Sequence, residues 1–396
     1  MIIFYELLPC LRYYSIMKST FIQLMQKDFF GSFCLLSAAF IAMLIANSPW
    51  QNTYTLLLHQ PMAFGFFHLS ILSFINDGLM TLFFLMVGAE LKRECLVGSL
   101  QSRSQILLPT VAAIGGMVVP AVIYVAINRG AGPALQGWAT PVATDIAFAV
   151  GVLNLFGKRV PNALKIFLLT LAIVDDLGAI LIIACAQPQK LVWGYVLLTL
   201  LLVAALMLLQ RTYGFQRRVF GIACLILWGL ILSAGLQPTL AGVLIAFLIP
   251  LNTPTTSPLV KLEQSLHKPI SFVVMPLFAL ANAGVAIEFH ALHLTHNVLF
   301  GVMFGLCLGK PIGVMFSSWL MIRIGVARMP LNVSWLSLLG VAFLCGIGFT
   351  MSLFLGTLAF PESPAYLAQA RLGIILGSIF ATVFGSMVLK HVFRAR

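Results

Sequence analysis

Beyond about residue 20 the chain is a succession of long apolar runs separated by short polar connections. Runs near 24–43, 71–97, 107–128, 133–156, 161–187, 192–210, 217–234, 236–251, 268–287, 298–321, 336–360 and 368–391 each approach the roughly 20 apolar residues that cross a bilayer as a helix. They predict an all-α polytopic membrane protein of about twelve transmembrane helices. Residues 48–70, with Pro49, Gln51, Asn52 and Gln60, read as a polar connection without Lys or Arg. Two runs carry their own interruptions. The fourth contains Gly137 and then Thr140-Pro141, where proline removes a backbone donor and disfavours helix at the residue before it. The eleventh contains Gly340 and Cys345-Gly346-Ile347-Gly348-Phe349-Thr350-Met351-Ser352. Unwound backbone at membrane depth persists only inside protein or along a watery cavity. Two interrupted spans at corresponding positions of two halves point to a transporter built from inverted repeats.

Composition agrees with the pattern. The chain is 61% hydrophobic and 9% charged, with a mean hydropathy of +1.04, against about 25% charged residues in soluble domains. The net charge of +12 does not signal nucleic-acid binding, because the basic residues form no continuous patch. With the amino terminus inside, only Arg129, Lys190 and Arg371 of the 23 Lys and Arg lie at outer ends, and Lys310 lies within a span. The rest gather on the inner side, as the positive-inside rule requires, so both termini are expected in the cytoplasm. Residues 1–23, with Arg12 and Lys18, read as a cytoplasmic extension without the pattern of a cleavable signal, and 24–396 as a single membrane domain. The seven cysteines show no metal spacing and read as small apolar filler.

Charge inside the spans is what remains to be explained. Asp175 and Asp176 lie side by side in the fifth run, where each carboxylate costs about 2.5–3.5 kcal/mol on insertion scales. Neighbours on a helix point about 100° apart, so one can meet a passing ion while the other meets a fixed partner. Lys310, between Gly309 and Pro311 in the tenth run, needs a carboxylate or must lose its proton. Asp145 follows Thr144 beside the break at Pro141, where hydroxyl, carboxylate and freed carbonyls are hard oxygen donors suited to a small cation. Asp77 opens the second span on the outer side. Glu90 and Glu94 flank Lys92 and Arg93 at its inner end, and Glu263 stands one helical turn before His267. A solvated face and a regulatory role both explain these last two clusters.

Several segments resemble the signatures of the NhaA family of sodium/proton antiporters. They are Ile75-Asn76-Asp77-Gly78-Leu79-Met80, Val87-Gly88-Ala89-Glu90-Leu91-Lys92-Arg93-Glu94, Thr144-Asp145 through Gly151, Ala172 through Ala179 around Asp175-Asp176, Leu308-Gly309-Lys310-Pro311, and Cys345 through Ser352. The resemblance runs in family order from about residue 20 to the carboxyl end. It implies electrogenic exchange of sodium or lithium for a larger number of protons, without a cofactor, in a bacterial inner membrane. It also implies crossed broken helices in spans four and eleven, and repeats made of spans three to five and ten to twelve. Residue by residue, it makes Asp176 the principal cation and proton carboxylate and Asp175 its partner at the Na+ site. Lys310 becomes the intramembrane base, and Thr144 with Asp145 belong to the crossing. Asp77, Gly346, Gly348 and Thr350 are accessory, and Glu90, Arg93, Glu94, Glu263 and His267 match a cytoplasmic pH-sensing cluster. A homodimer through the 48–70 connection is a further expectation.

Gln237 and Gln264 stand where the family can carry histidine, and glutamine does not titrate. Neither position can sense protons here. Two other functions compete with antiport. A sodium-coupled solute carrier on a related fold would need a larger polar pocket than the midplane donors provide. An intramembrane aspartyl protease would need two carboxylates converging on one water, for which Asp145 with Asp176 is the available pair; it leaves Lys310 and the paired breaks without a role. With Asp176 assigned to the ion and Asp145 to the crossing, Asp175 is the expected partner of Lys310, and Asp145 competes for that role.

Overall fold

A computed structural model describes residues 28–64, 67–97, 103–185, 191–213, 216–251, 257–285 and 297–394. The expected extension at 1–23 lies outside them. Among the described residues, each of the twelve expected spans has a helical counterpart. Six helices are long and apolar enough to cross a bilayer by themselves; the others are shorter, continued through irregular turns, or broken.

The first helix, α1, covers Asp28–Ala46. The 48–70 connection is more ordered than its polar composition predicts. It forms a short helix, α2 (Gln51–His59), at 115° to α1, and an antiparallel hairpin of β1 (Pro61–Phe64) and β2 (Phe67–Ser70). Helix α3 (Ile71–Val97) begins with a wide π-turn over Phe74–Leu79. Helix α4 (Arg103–Ile127) keeps both Pro109 and Pro120 within its length. The fourth span is interrupted as expected: a 3-10 stretch at Gly132–Ala139, irregular backbone to Asp145, then α5 (Ile146–Asn154).

Helices α6 (Asn162–Cys185), α7 (Trp193–Tyr213) and α8 (Arg217–Ala234) follow. The expected crossing at 236–251 is a helix of only nine residues, α9 (Leu240–Leu248). Gly235 in the left-handed region ends α8, Pro238 precedes the new helix and Pro250 follows it, so neither end can extend. Its last carbonyls are covered from α3: Lys92 Nζ donates to Phe247 O at 2.7 Å and to Ile249 O at 2.5 Å. The ninth span starts ten residues earlier than its apolar run. Helix α10 runs through Pro258–Pro269, a π-turn at Ile270–Val274 and Met275–Asn282. Helix α11 (Val298–Arg323) has its π-turn at Gly305–Gly309, immediately before Lys310. The eleventh span is α12 (Trp335–Leu344) and α13 (Phe349–Ala359), bent by 47° between them, and α14 (Pro364–Arg394) closes the chain.

Apolar side chains face outward as well as inward. Leu208 on α7 is 68% exposed and Leu225 on α8 is 73% exposed, as on a surface bathed in lipid rather than water. Within such a protein, helices approach through small residues. Helices α4 and α11 cross backbone to backbone where Gly313 lies against the carbonyl of Gly115, leaving no room for a Cβ on either. That contact joins the expected third and tenth spans and fixes the frame around the two broken ones. Gly313→Ala should therefore lower the thermal midpoint of the purified protein, by the equivalent of about 1–3 kcal/mol for overpacking a close-packed contact. An unchanged midpoint would show that the crossing is looser than described.

Candidate functional site

The two breaks meet. Asp145 N donates to Ile347 O at 2.6 Å, so the irregular backbone of the fourth span satisfies that of the eleventh. Helices α5 and α13 both begin here, and their first N–H groups need acceptors. One carboxylate serves both. Asp145 Oδ1 accepts from Phe148 N at 3.1 Å, and Oδ2 accepts from Thr350 N at 3.1 Å and Thr350 Oγ1 at 2.6 Å. The glycines of the eleventh span make the approach possible: a Cβ on Gly346 would strike the carbonyl of Leu306, and one on Gly348 the hydroxyl of Ser352. Ser378 on α14 adds an acceptor for Phe349 N at 3.3 Å; no pattern in the sequence singles it out.

A second polar knot lies beside the crossing. Lys310 Nζ is paired with Asp175 Oδ2 and donates to Thr144 Oγ1 at 2.9 Å; Asp175 and Lys310 are fully buried. The Thr144 hydroxyl lies 2.7 Å from Asp175 Oδ2 and 2.8 Å from Cys345 O, and its single proton serves one of them at a time. The chain delivers Lys310 here because Gly309 packs against the backbone of Pro120 on α4 and Gly305 against Pro141 at the break. Of the two carboxylates competing as partner for Lys310, the structure pairs it with Asp175, while Asp145 is occupied by helix ends.

Asp176 is left over. Its carboxylate is buried, its Oδ1 has no hydrogen-bond partner, and it lines a cavity of about 590 Å³. Asp145 and Thr350 share the cavity floor with it, whereas Asp175 and Lys310 do not reach the cavity. The exposed side chains of His267 and Lys268 mark its mouth, and Glu90, Lys165 and Glu263 line its walls. Arg93 holds Glu263 through Nε at 2.9 Å and Glu94 through Nη1 at 2.9 Å. The titratable cluster and the buried carboxylate thus share one water-sized passage. Lys165 and Ser32, which also line it, carried no distinguishing signal in the sequence.

Asp77 is not brought to this cavity. It sits in the π-turn of α3, where its carbonyl accepts from Trp228 Nε1 at 3.0 Å and its Oδ1 lies 3.4 Å from Gln237 Nε2. Gln264 is on an exposed face of α10. Among the described residues no group of three or more His, Cys, Asp or Glu is arranged to hold a metal ion.

The model of the family described as Na+/H+ antiporter 1 matches residues 22–389. The chain belongs to the NhaA family of Na+/H+ antiporters. It is 48% identical over 380 residues to the Na(+)/H(+) antiporter NhaA of Pseudomonas fluorescens strain Pf-5, covering 94% of this chain and 96% of that protein. It is 44% identical over 375 residues to the Na(+)/H(+) antiporter NhaA of Vibrio cholerae strain O395, covering 92% and 97%. Membership of the NhaA family accords with crossed, broken fourth and eleventh spans and with charge at their meeting point.

The buried pair has a measurable signature. Lys310→Ala strands Asp175 and should destabilise by about 3–5 kcal/mol, whereas the neutral pair Asp175→Asn with Lys310→Gln should recover much of that loss. A double-mutant cycle on thermal midpoints reads the coupling. Strong coupling of Lys310 to Asp145, with none to Asp175, would contradict the pairing.

Proposed function

We propose that this protein exports Na+ or Li+ in exchange for protons, with Asp176 as the carboxylate for which ion and proton compete. As a member of the Na+/H+ antiporter family it exchanges these two cations; the assignment of residues is our own. The observation that carries it is the division among the three buried aspartates. Asp145 is spent on two helix ends and Asp175 on Lys310, and only Asp176 opens on the cavity with an unpartnered oxygen. Thr350 and Asp145 line the same cavity and offer further oxygen donors for a bound cation.

Competition for one carboxylate couples opposite fluxes without further machinery. Each cation leaves only when the other replaces it, on alternate sides of the membrane. Exchange is electrogenic in this reading, with more protons entering than sodium ions leaving. Lys310 supplies the additional proton when sodium binding draws Asp175 away from it. The cavity mouth carries the positive charge expected of the cytoplasmic face, so the described state opens inward. We place the protein in a bacterial inner membrane with both termini inside. Exposed Trp50, just before α2, and Leu56 on it, with the hairpin of β1 and β2, offer the surface for a homodimer. The large apolar exterior is covered by lipid.

Glu90, Glu263 and His267 stand where an entering ion must pass, and Arg93 ties Glu94 to Glu263. Protonation of the acids weakens the attraction of the cavity walls for cations and loosens the Arg93 contacts, so we assign the cluster to pH control. His267 is at the exposed rim and Gln237 and Gln264 do not titrate. Any steep response then comes from the transport carboxylates, Lys310, or Glu90, Glu94, Glu263 and His267. A solute carrier is the weaker reading, because the relatives that match this chain over nearly its whole length are Na+/H+ antiporters.

Two measurements test this. Asp176→Asn should insert and melt normally but lose both calorimetric sodium binding and exchange in vesicles; near-normal sodium binding by the purified variant would refute the assignment. Below the pKa of the site, apparent sodium affinity should weaken about tenfold for each unit fall in pH, as one competing proton dictates. His267→Ala should shift the activity profile by less than about one pH unit, the scale of a simple one-proton titration. A larger displacement would make His267 a principal sensor.

A further inference from the structure

A second, smaller pocket of about 300 Å³, sharing no lining residue with the transport cavity, lies between the turn after α5 and the end of α14. Five residues line it: Phe156, Arg159, Lys390, Phe393 and Arg394. Three carry positive charge, two are aromatic, and no carboxylate is among them. Phe156 and Phe393 brace its floor, with ring centroids 5.9 Å apart, and Phe393 is 2% exposed. Three cations converging on a concavity without a counter-ion repel one another, so the site favours an anion.

The same helix face says which kind of anion. The exposed stripe of α14 runs through Phe380, Val383, Phe384 and Met387, then Lys390, His391 and Arg394. It changes from apolar to cationic within one turn, between Met387 and Lys390. Such a stripe reproduces the profile of one phospholipid: acyl chains along the rings and methyls, headgroup among the bases. Leu155, 61% exposed beside Phe156, extends the apolar part across to α5. A free phosphate would meet the charges but leave the stripe unused.

We propose that this pocket binds the phosphate of an anionic phospholipid, with its chains lying along the outer face of α14. The site uses the membrane placement of the bundle but no part of the transport mechanism. Arg159 lies between the fourth and fifth spans, whereas Lys390 and Arg394 end the twelfth, so one headgroup ties the interior of the first repeat to the end of the second. Basic pockets between transmembrane helices are suited to such headgroups, and each basic group near an anionic surface is worth about fivefold in binding.

The test uses the full-length purified protein in a zwitterionic detergent–phosphatidylcholine background, with phosphatidylglycerol as the probe and native mass spectrometry counting bound lipid. Phosphatidylglycerol should be retained over phosphatidylcholine, and Arg159→Gln/Lys390→Gln/Arg394→Gln should weaken its retention on the order of 100-fold. The control Lys261→Gln/Arg323→Gln/Arg328→Gln removes equal charge from other exposed positions and should leave retention unchanged. Equal losses in both triple variants, or equal retention of the two lipids, would overturn the site. Displacement of the lipid by inorganic phosphate at matched concentration would overturn its assignment to a phospholipid. If the triple variant fails to melt cooperatively, Arg159→Gln alone carries the test, with a loss of about fivefold. Sodium-driven proton movement in phosphatidylcholine vesicles checks transport separately: failure there bears on the antiport reading and not on the lipid site.

Discussion

A carboxylate at the centre of a membrane protein survives only if the surrounding structure compensates it, and here that constraint is met by breaking helices. Two half-helices end at midplane because Pro141 and the glycines around Ile347 interrupt their spans. Their amino-terminal N–H groups would themselves be costly if left bare. Asp145 and the two helix starts cancel each other's cost, through Phe148 N, Thr350 N and Thr350 Oγ1. Neither break is stable without the carboxylate, and the carboxylate is not stable without both breaks. Cooperation of this kind makes the crossing a single unit rather than two local irregularities.

The rest of the site follows from where that unit sits. At the crossing Cys345 O lies within reach of the Thr144 hydroxyl, and Thr144 with Asp175 receives the buried ammonium of Lys310. A π-turn and Gly309 bring Lys310 into that position despite Pro311 directly behind it. Both oxygens of Asp145 and Oδ2 of Asp175 are engaged by protein groups, whereas Oδ1 of Asp175 and Oδ1 of Asp176 are not; what sets Asp176 apart is that it faces the cavity. Adjacent residues on α6 point in different directions, so Asp175 turns into the bundle while Asp176 faces the cavity. Burial without a partner keeps Asp176 responsive to any cation that arrives. That is the property a competing exchange site needs.

Much of this was legible in the sequence because membranes restrict what a chain can do. The helical class, the two interruptions and the set of buried charges follow from hydropathy, proline and glycine placement, and a short count of acids. What pattern cannot supply is direction. Asp175 was the expected partner of Lys310, but Asp145 competed for the role until the geometry placed Asp145 across two helix starts. The nine-residue α9 looked like a full crossing because its flanks, Leu236 and Ile249, are as apolar as its core, while Gly235, Pro238 and Pro250 limit the helix. The 48–70 connection looked featureless because a nine-residue helix and two four-residue strands are too short for a periodic signal. Ser378, Ser32 and Lys165 were silent for another reason: single polar residues near helix ends are common, and only their tertiary neighbours distinguish them.

The central claim is that the ion needs one open carboxylate, with the neighbouring aspartate engaged by lysine. It is tested most directly by calorimetric sodium titration of the Asp175→Asn/Lys310→Gln protein, alongside a melting curve that establishes its fold. The account predicts that sodium still binds, because Asp176 and the floor around it are intact. It also predicts fewer protons moved per sodium in vesicles. A cooperatively folded double variant that no longer binds sodium would contradict the account and make Asp175 an obligatory ligand of the ion.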